Sequence, residues 1–293
     1  MPAVSAPLIR TAAVSAAASL IFSSAATAQV SFPDFSDVSR LTLNGHAAQA
    51  GNRLRVAPAL GNTAGAGWYN TRQHVSVGFD TTFEFQMADH GADPGVIPGA
   101  DGFAFVIQNS PLGLAELGGH GSFLGYSFIP NSLAVEFDTY KNLGDLTRTD
   151  NHISVHSRGE FNNLSNEHAS KGAVDVLTDM NDGNVHTARV KYNGTAMRVF
   201  LDDLANPLLR VNYSLDKLGL HFGSAYVGFT AGTGNSWQNH DILSWKLSSH
   251  VPEPGAYVLL GAALLSAGAS FTPSPVMATT SPRACHAFTM RIL

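Results

Sequence analysis

Leu133-Ala134-Val135-Glu136-Phe137-Asp138-Thr139-Tyr140-Lys141-Asn142 is the stretch on which the fold turns. In an extended chain successive side chains point to opposite faces, so Leu133, Val135 and Phe137 share one face and Glu136, Asp138 and Tyr140 the other. The apolar set fits a core, and the carboxylates line up on one side at the strand's end. Beyond it a Gly-containing loop carries Asn142, Asp145 and Asp150, and His152 opens the next strand. Hard oxygen donors with one imidazole suit two adjacent cations, calcium on the all-oxygen set and a transition metal on the set with His.

Working outward, the span from Gln29 to about His250 keeps one texture: short alternating apolar runs broken by Gly, Asn, Asp and Pro, with no helical period and no repeat. Strands are expected at 74–87, 102–108, 132–140, 152–156, 187–192, 196–202, 225–231 and 241–248. Asn193-Gly194 between two of them predicts a two-residue type I′ hairpin, which needs positive φ at both positions. So many short strands predict an all-β domain, two antiparallel sheets packed face to face.

The 17 Lys and Arg are outnumbered by 22 acids, for a net charge of −5, which excludes the basic footprint that a phosphate backbone requires; no nucleic-acid partner is expected. Cys285 is the single cysteine, so no intrachain disulfide can form. An apolar, small-residue run from Thr11 to Phe22 after Arg10, ending in Ala26-Thr27-Ala28, reads as a secretory signal over 1–28. The domain then occupies 29–250, and 251–293 forms a tail. That tail opens with Val251-Pro252-Glu253-Pro254 and an apolar run to about Ala269, shorter than the roughly 20 residues of a membrane-spanning helix. The segment resembles the PEP-type C-terminal sorting signal of Gram-negative exported proteins, without its terminal Arg cluster. It implies an extracellular or envelope location on the outer surface of such a bacterium, with transient inner-membrane contact. A homo-oligomer is left open.

Glu-Phe-Asp-Thr-Tyr-x-Asn followed by Asp and then His resembles the metal-binding segment of the legume (L-type) lectins, and the span from about 30 to 250 looks like their domain. The resemblance implies a concanavalin-like jelly-roll sandwich that binds carbohydrate with Ca2+ and with Mn2+ or another transition metal. By it, Asp138 and Asp145 bridge both ions, the Tyr140 carbonyl and Asn142 complete the calcium site, and Glu136 with His152 completes the other. The gap from Asp145 to His152 is longer than in most relatives, which leaves Asp150 as an alternative bridging acid.

Three further segments extend the likeness. Gly99-Ala100-Asp101-Gly102-Phe103 matches a cis Ala-Asp segment, which makes Asp101 the first sugar contact. Gly118-Gly119-His120-Gly121, in the segment running to Gly125, resembles a Gly-rich loop whose backbone N–H approaches the sugar, with Gly121 as the best match and Gly118 and Gly119 as alternatives. Asn142 also donates its amide to the sugar, and the Tyr140 ring stacks on a pyranose. The frame from Val227 to Trp245 resembles the closing strands, in which the loop Asn235 to Asn239 tunes sugar choice; Trp237 either stacks on the ligand or packs at the sandwich end.

These readings make the chain a binder of glycans or exopolysaccharide and not an enzyme. A glycoside hydrolase of the same sandwich fold is the main rival, and such enzymes need two carboxylates flanking the bond. Here Glu136-x-Asp138 is followed by Tyr140 and Lys141, so a second catalytic Glu is missing. A structural envelope protein that binds no sugar is the third possibility. No HExxH or tetrahedral His/Cys spacing supports zinc.

Overall fold

The computed structural model describes residues 29–249, apart from residues 144, 146 and 147. The expected signal over 1–28 and the tail with Val251–Pro254 lie outside the described residues. Sixteen strands follow one another: β1 (Gln29–Phe32), β2 (Leu41–Gly45), β3 (Ala48–Ala50), β4 (Arg53–Ala57), β5 (Ala64–Tyr69), β6 (Gln73–His74), β7 (Phe79–Ala92) and β8 (Gly102–Gln108). After them come β9 (Ser132–Asp138), β10 (His152–Ser157), β11 (Ser170–Asp175), β12 (Val185–Tyr192), β13 (Ala196–Leu201), β14 (Leu209–Asn212), β15 (Ser224–Gly232) and β16 (Ser236–Ser249). Among the described residues the only helical turns are short 3-10 turns.

Every pairing is antiparallel, and the strands form two sheets. The back sheet runs β14-β13-β12-β7-β16-β4-β3 with β1 also on β16, and the site sheet runs β11-β10-β9-β8-β15-β5-β2 with β6 also on β15. All-β architecture in two antiparallel sheets is the expected result. Between the sheets lies an aromatic core in which Phe83, Phe85, Phe103, Phe105, Phe137, Phe229 and Trp245 are fully buried. Phe103 and Phe137 stack at 4.9 Å, and Phe83 meets Phe229 edge-on at 5.0 Å. Each such ring contributes about 1.5–3 kcal/mol by burial alone.

The site sheet is also covered on its other face. There the segment 113–131 lays Leu124, Tyr126 and Ile129 over Ala66, Trp68, Ala104, Val106 and Ala134, forming a second, smaller core. Trp68 ties the cover down by donating its indole N–H to the Glu116 carbonyl at 2.7 Å. Consequently every residue of β8, β9 and β10 is buried, and the half-exposed alternation of an open sheet is lost.

Three local expectations change. The stretch 74–87 is not one strand: β6 ends at His74, and β7 starts at Phe79 after Gly78, with Val75 hydrogen-bonded instead to the Gly223 carbonyl. In the 192–197 hairpin the Asn193 side chain accepts the amides of Thr195 and Ala196. That moves the central pair to Gly194-Thr195, where only Gly194 has positive φ (+90°), a type II′ pattern and not I′. Finally, 236–240 belongs to β16, so the connection after β15 is only Thr233-Gly234-Asn235.

Candidate functional site

Strand register assembles the acidic cluster. On the covered face of the site sheet, Gly102, Asp138 and His152 lie opposite one another on β8, β9 and β10, and Ala104, Glu136 and Ser154 form the next row. Gly102 is required for close approach: a Cβ there would sit 2.4 Å from the Phe137 carbonyl oxygen. The peptide between Ala100 and Asp101, which leads into it, is cis.

Asp101 is 4% exposed. Its backbone is pinned, with its N–H donated to Gly232 O at 3.1 Å and its carbonyl accepting the Thr139 N–H at 2.9 Å. Oδ1 accepts the Asn142 amide at 3.2 Å, while the buried Oδ2 has no hydrogen-bond partner. Burial pushes this carboxyl up to about 7 against the pull of the Asn142 hydrogen bond. Asp138 is held well above the usual carboxylate range by burial and then by the charges of Glu136 and Asp145, although its Oδ1 accepts the Tyr140 N–H at 2.8 Å. Asp145 is raised by burial as well, and its Oδ2 accepts the Asn142 N–H at 2.8 Å.

Three buried acids thus converge on the Tyr140–Asn142 turn, and the Asn142 amide also approaches the Tyr140 carbonyl at 3.3 Å. Unpaired buried carboxylates are costly. Oxygen donors on Asp138, Tyr140, Asn142 and Asp145 gathered at one turn have the chemistry of a calcium set, while Asp101 Oδ2 lies toward Gly121 and Gly234. The structure puts Asp145 in this cluster, whereas Asp150 is exposed and lines a separate cleft of about 460 Å3 with Lys141, Asn151 and Asp179.

The donors expected for a second ion divide. His152 is buried, with Nδ1 3.1 Å from the Thr149 carbonyl and Nε2 without a hydrogen bond among the described residues. Glu136 is committed elsewhere: it accepts from Tyr126 OH, from Ser154 Oγ and from His156 Nε2 at 2.9 Å. His156 Nδ1 meets the Leu164 carbonyl at 3.0 Å, so both ring nitrogens face acceptors. Burial works against both charges, yet the pairing prevails, holding Glu136 below and His156 above their usual ranges. Among the described residues no three His, Cys, Asp or Glu side chains close on a metal-sized point. Glu136 as held here does not fit the role of transition-metal ligand.

A cleft of about 200 Å3 opens beside the cluster, lined by Asp101, Gly121, Tyr140, Asn142 and Asn235 among others. Five of the six expected sugar contacts therefore share one cavity. Gly121 contributes differently from expectation: its N–H is donated to the Thr233 carbonyl at 2.9 Å, and its φ of +63° suits a residue without Cβ. Trp237 is not in the cleft. It is half-buried and packs over Gly61 and Gly91, where an added Cβ would come within 3.3 and 2.3 Å of its ring.

Sequence reasoning missed Ser122 and Gly234 in the cleft wall, and His156 behind the acids. It also missed the support behind Asp101. There Gln238 donates to Thr139 Oγ1 at 2.8 Å, Asn181 donates to Gln238 at 3.0 Å, and fully buried His240 beside Gln238 is driven by burial to a pKa of about 3. Period-2 spacing from His152 was the available signal for His156.

The family description "Legume lectin beta-barrel domain" matches residues 33–244, and the chain belongs to that family. Among curated relatives, Lectin 8 of Medicago truncatula is 28% identical over 186 residues, covering 59% of this chain and 64% of its own length. Agglutinin-2 of Cladrastis kentukea is 29% identical over 186 residues, covering 59% and 58%. A probable L-type lectin-domain containing receptor kinase, VII.2, of Arabidopsis thaliana is 30% identical over 207 residues, covering 63% of this chain and 29% of its own. The chain thus spans less than two thirds of each of these relatives. Among solved structures, a Bauhinia forficata lectin in complex with GalNAc superposes with a TM-score of 0.62 at 22% identity, covering 78% of this chain and all of that one. The exoplasmic/lumenal domain of VIP36, in its Ca2+/Man3GlcNAc-bound form, gives a TM-score of 0.60 at 19% identity, covering 78% and 92%. These two likenesses establish the fold.

Proposed function

We propose that this chain is a calcium-dependent carbohydrate-binding lectin, acting at the surface of an exported or envelope-associated bacterial protein. The observation that carries the reading is the convergence of Asp101, Gly121, Tyr140, Asn142 and Asn235 on one cleft, with buried acids directly behind Asn142. Asp138, Asp145, the Tyr140 carbonyl and the Asn142 side-chain oxygen would hold calcium. When bound, the ion supplies the positive charge that these buried acids lack and fixes Asn142. In that state the Asn142 amide is free to donate to a hydroxyl, Asp101 accepts from two hydroxyls, and Tyr140 covers one ring face. Placing these groups in advance lowers the ordering cost of weak polar contacts.

Binding without catalysis is supported by Glu136, the acid a sandwich hydrolase would use, which is locked among Tyr126, Ser154 and His156. A single sugar is expected to bind at roughly millimolar strength, near −4 kcal/mol, so adhesion depends on repeated sites or a polymeric exopolysaccharide. The test is a glycan array with the full chain, with and without EDTA, beside Asp138→Ala. GalNAc and Man3GlcNAc, the ligands named with the two structural relatives, are the first probes. Signal lost under both treatments supports the proposal; no signal, together with no calcium by elemental analysis, overturns it in favour of a structural envelope role.

A further inference from the structure

The open face of the back sheet carries a charge pattern that the cleft does not use. Strand register sets Arg210 of β14 directly opposite Arg198 of β13, Arg198 opposite Lys191 of β12, Lys191 opposite Asp80 of β7, and Asp80 opposite Ser248 of β16. This single row crosses five strands, roughly 19 Å at the usual strand spacing. One row along, Arg189 and Lys246 flank Thr82. The neighbours in sequence, Met197, Val199, Leu209 and Val211, point into the core, which turns the basic side chains outward.

Like charges directly opposite one another on a sheet are destabilising. Asp80, the one acid in these two rows, is bound by Arg189 through two contacts of 2.9 and 2.6 Å, with Lys191 at 3.5 Å. It cannot compensate Arg198, Arg210 and Lys246 as well. Five cations against one anion form a positive stripe on a chain whose net charge is −5. The stripe borders a basin of about 420 Å3 that also presents the hydroxyls of Thr82 and Ser248.

We propose that this face is a second, metal-independent binding surface for a linear anionic polysaccharide, with Arg210, Arg198 and Lys191 contacting its carboxylates. A row crossing five strands is long enough for several sugar residues, and the Thr82 and Ser248 hydroxyls beside Lys191 and Lys246 suit sugar hydroxyls. Charge argues against a second copy of this chain, since a twofold pairing of this face sets the stripe near itself. The face also lacks an exposed aromatic platform for bases: Phe200 is buried beneath Arg189 at 5.8 Å.

The experiment is affinity electrophoresis of the full chain at low salt, through gels containing dextran, carboxymethyl-dextran, polygalacturonate or double-stranded DNA. Expected is retardation by the two carboxylated polymers that fades with added salt. It should fall at least tenfold in Arg198→Glu/Arg210→Glu and stay unchanged in Asn142→Ala, which separates this face from the cleft. The milder Arg210→Gln, on an exposed edge residue, provides a partial effect if the double variant fails to fold. Without polymer, Arg198→Thr should raise the melting temperature by about 1–2 °C by relieving the repulsion. No retardation of the wild-type chain, equal retardation of the folded double variant, loss in Asn142→Ala, equal retardation by DNA, or a lower melting temperature in Arg198→Thr each overturns the proposal.

Discussion

The two sheets are alike in size and antiparallel pairing, yet they treat the face turned away from the sandwich core in opposite ways. On the site sheet that face is sealed by residues 113–131, and its charged groups, Glu136, Asp138 and His156, are buried. On the back sheet it is open, and Asp80, Arg189 and Lys246 remain within reach of water. The lesson is that one residue type carries a different energetic weight on each. A sealed charge must find a partner, an ion or a proton, whereas an open charge is shared with solvent.

The largest expected effect tests whether the sealed face really lacks its counter-ion. A carboxyl whose folded pKa lies above its unfolded value keeps its proton longer when folded, so folding is favoured at low pH and loses stability as pH rises between the two values. Asp101, Asp138 and Asp145 are all displaced upward by burial. Metal-free chain should therefore lose stability from about pH 4 to just above pH 7, on the order of 4 kcal/mol from Asp101 alone over that whole span. Added calcium should abolish or reverse that slope. Urea melts across this range with EDTA or calcium provide the check, and a flat metal-free profile breaks the comparison.

Next in size is Glu136→Ala, which leaves the His156 imidazolium without its partner in a dry site and should cost about 3–5 kcal/mol in urea melts. A loss below 1 kcal/mol would mean that water reaches this face. Trp68→Phe follows, at about 1–3 kcal/mol, because the buried Glu116 carbonyl loses its donor. Since Trp68 anchors the cover that contains Gly121, glycan affinity should fall with it. Trp245→Phe on the back-sheet side also removes a hydrogen bond, to Thr81, but should leave glycan affinity unchanged.

The site sheet was readable at its core face and unreadable at its cover. Leu133, Val135 and Phe137 announce a strand by alternation, and they lie in the main core as expected. The second covering is marked by Trp68 and Val106 and otherwise by small residues: Gly102, Ala104 and Ala134 stand where an open sheet would carry polar groups. Their partners, Leu124, Tyr126 and Ile129, come from a loop without period. The acids of the cluster could be found because their order along one strand and loop is specific. His156 carries only the weak signal of its period-2 spacing from His152, because its role depends on Tyr126 and Ser154 meeting Glu136 in space. Trp237 was ambiguous because only pairing reveals Gly91 across the ladder as the gap it fills.

The smallest effect closes the comparison from the open side. Asp80 makes a two-point contact with Arg189, the same geometry that would be decisive in a dry site. Here both side chains are 28% exposed, so water already solvates the separated charges and the pair gains little over them. Asp80→Asn should therefore cost only about 0.2–1 kcal/mol, several times less than Glu136→Ala, and the difference should shrink little in 1 M salt because the sealed pair is poorly screened. A cost for Asp80→Asn approaching that of Glu136→Ala would mean that the back sheet is covered in the intact protein, and that its stripe of cations is already engaged.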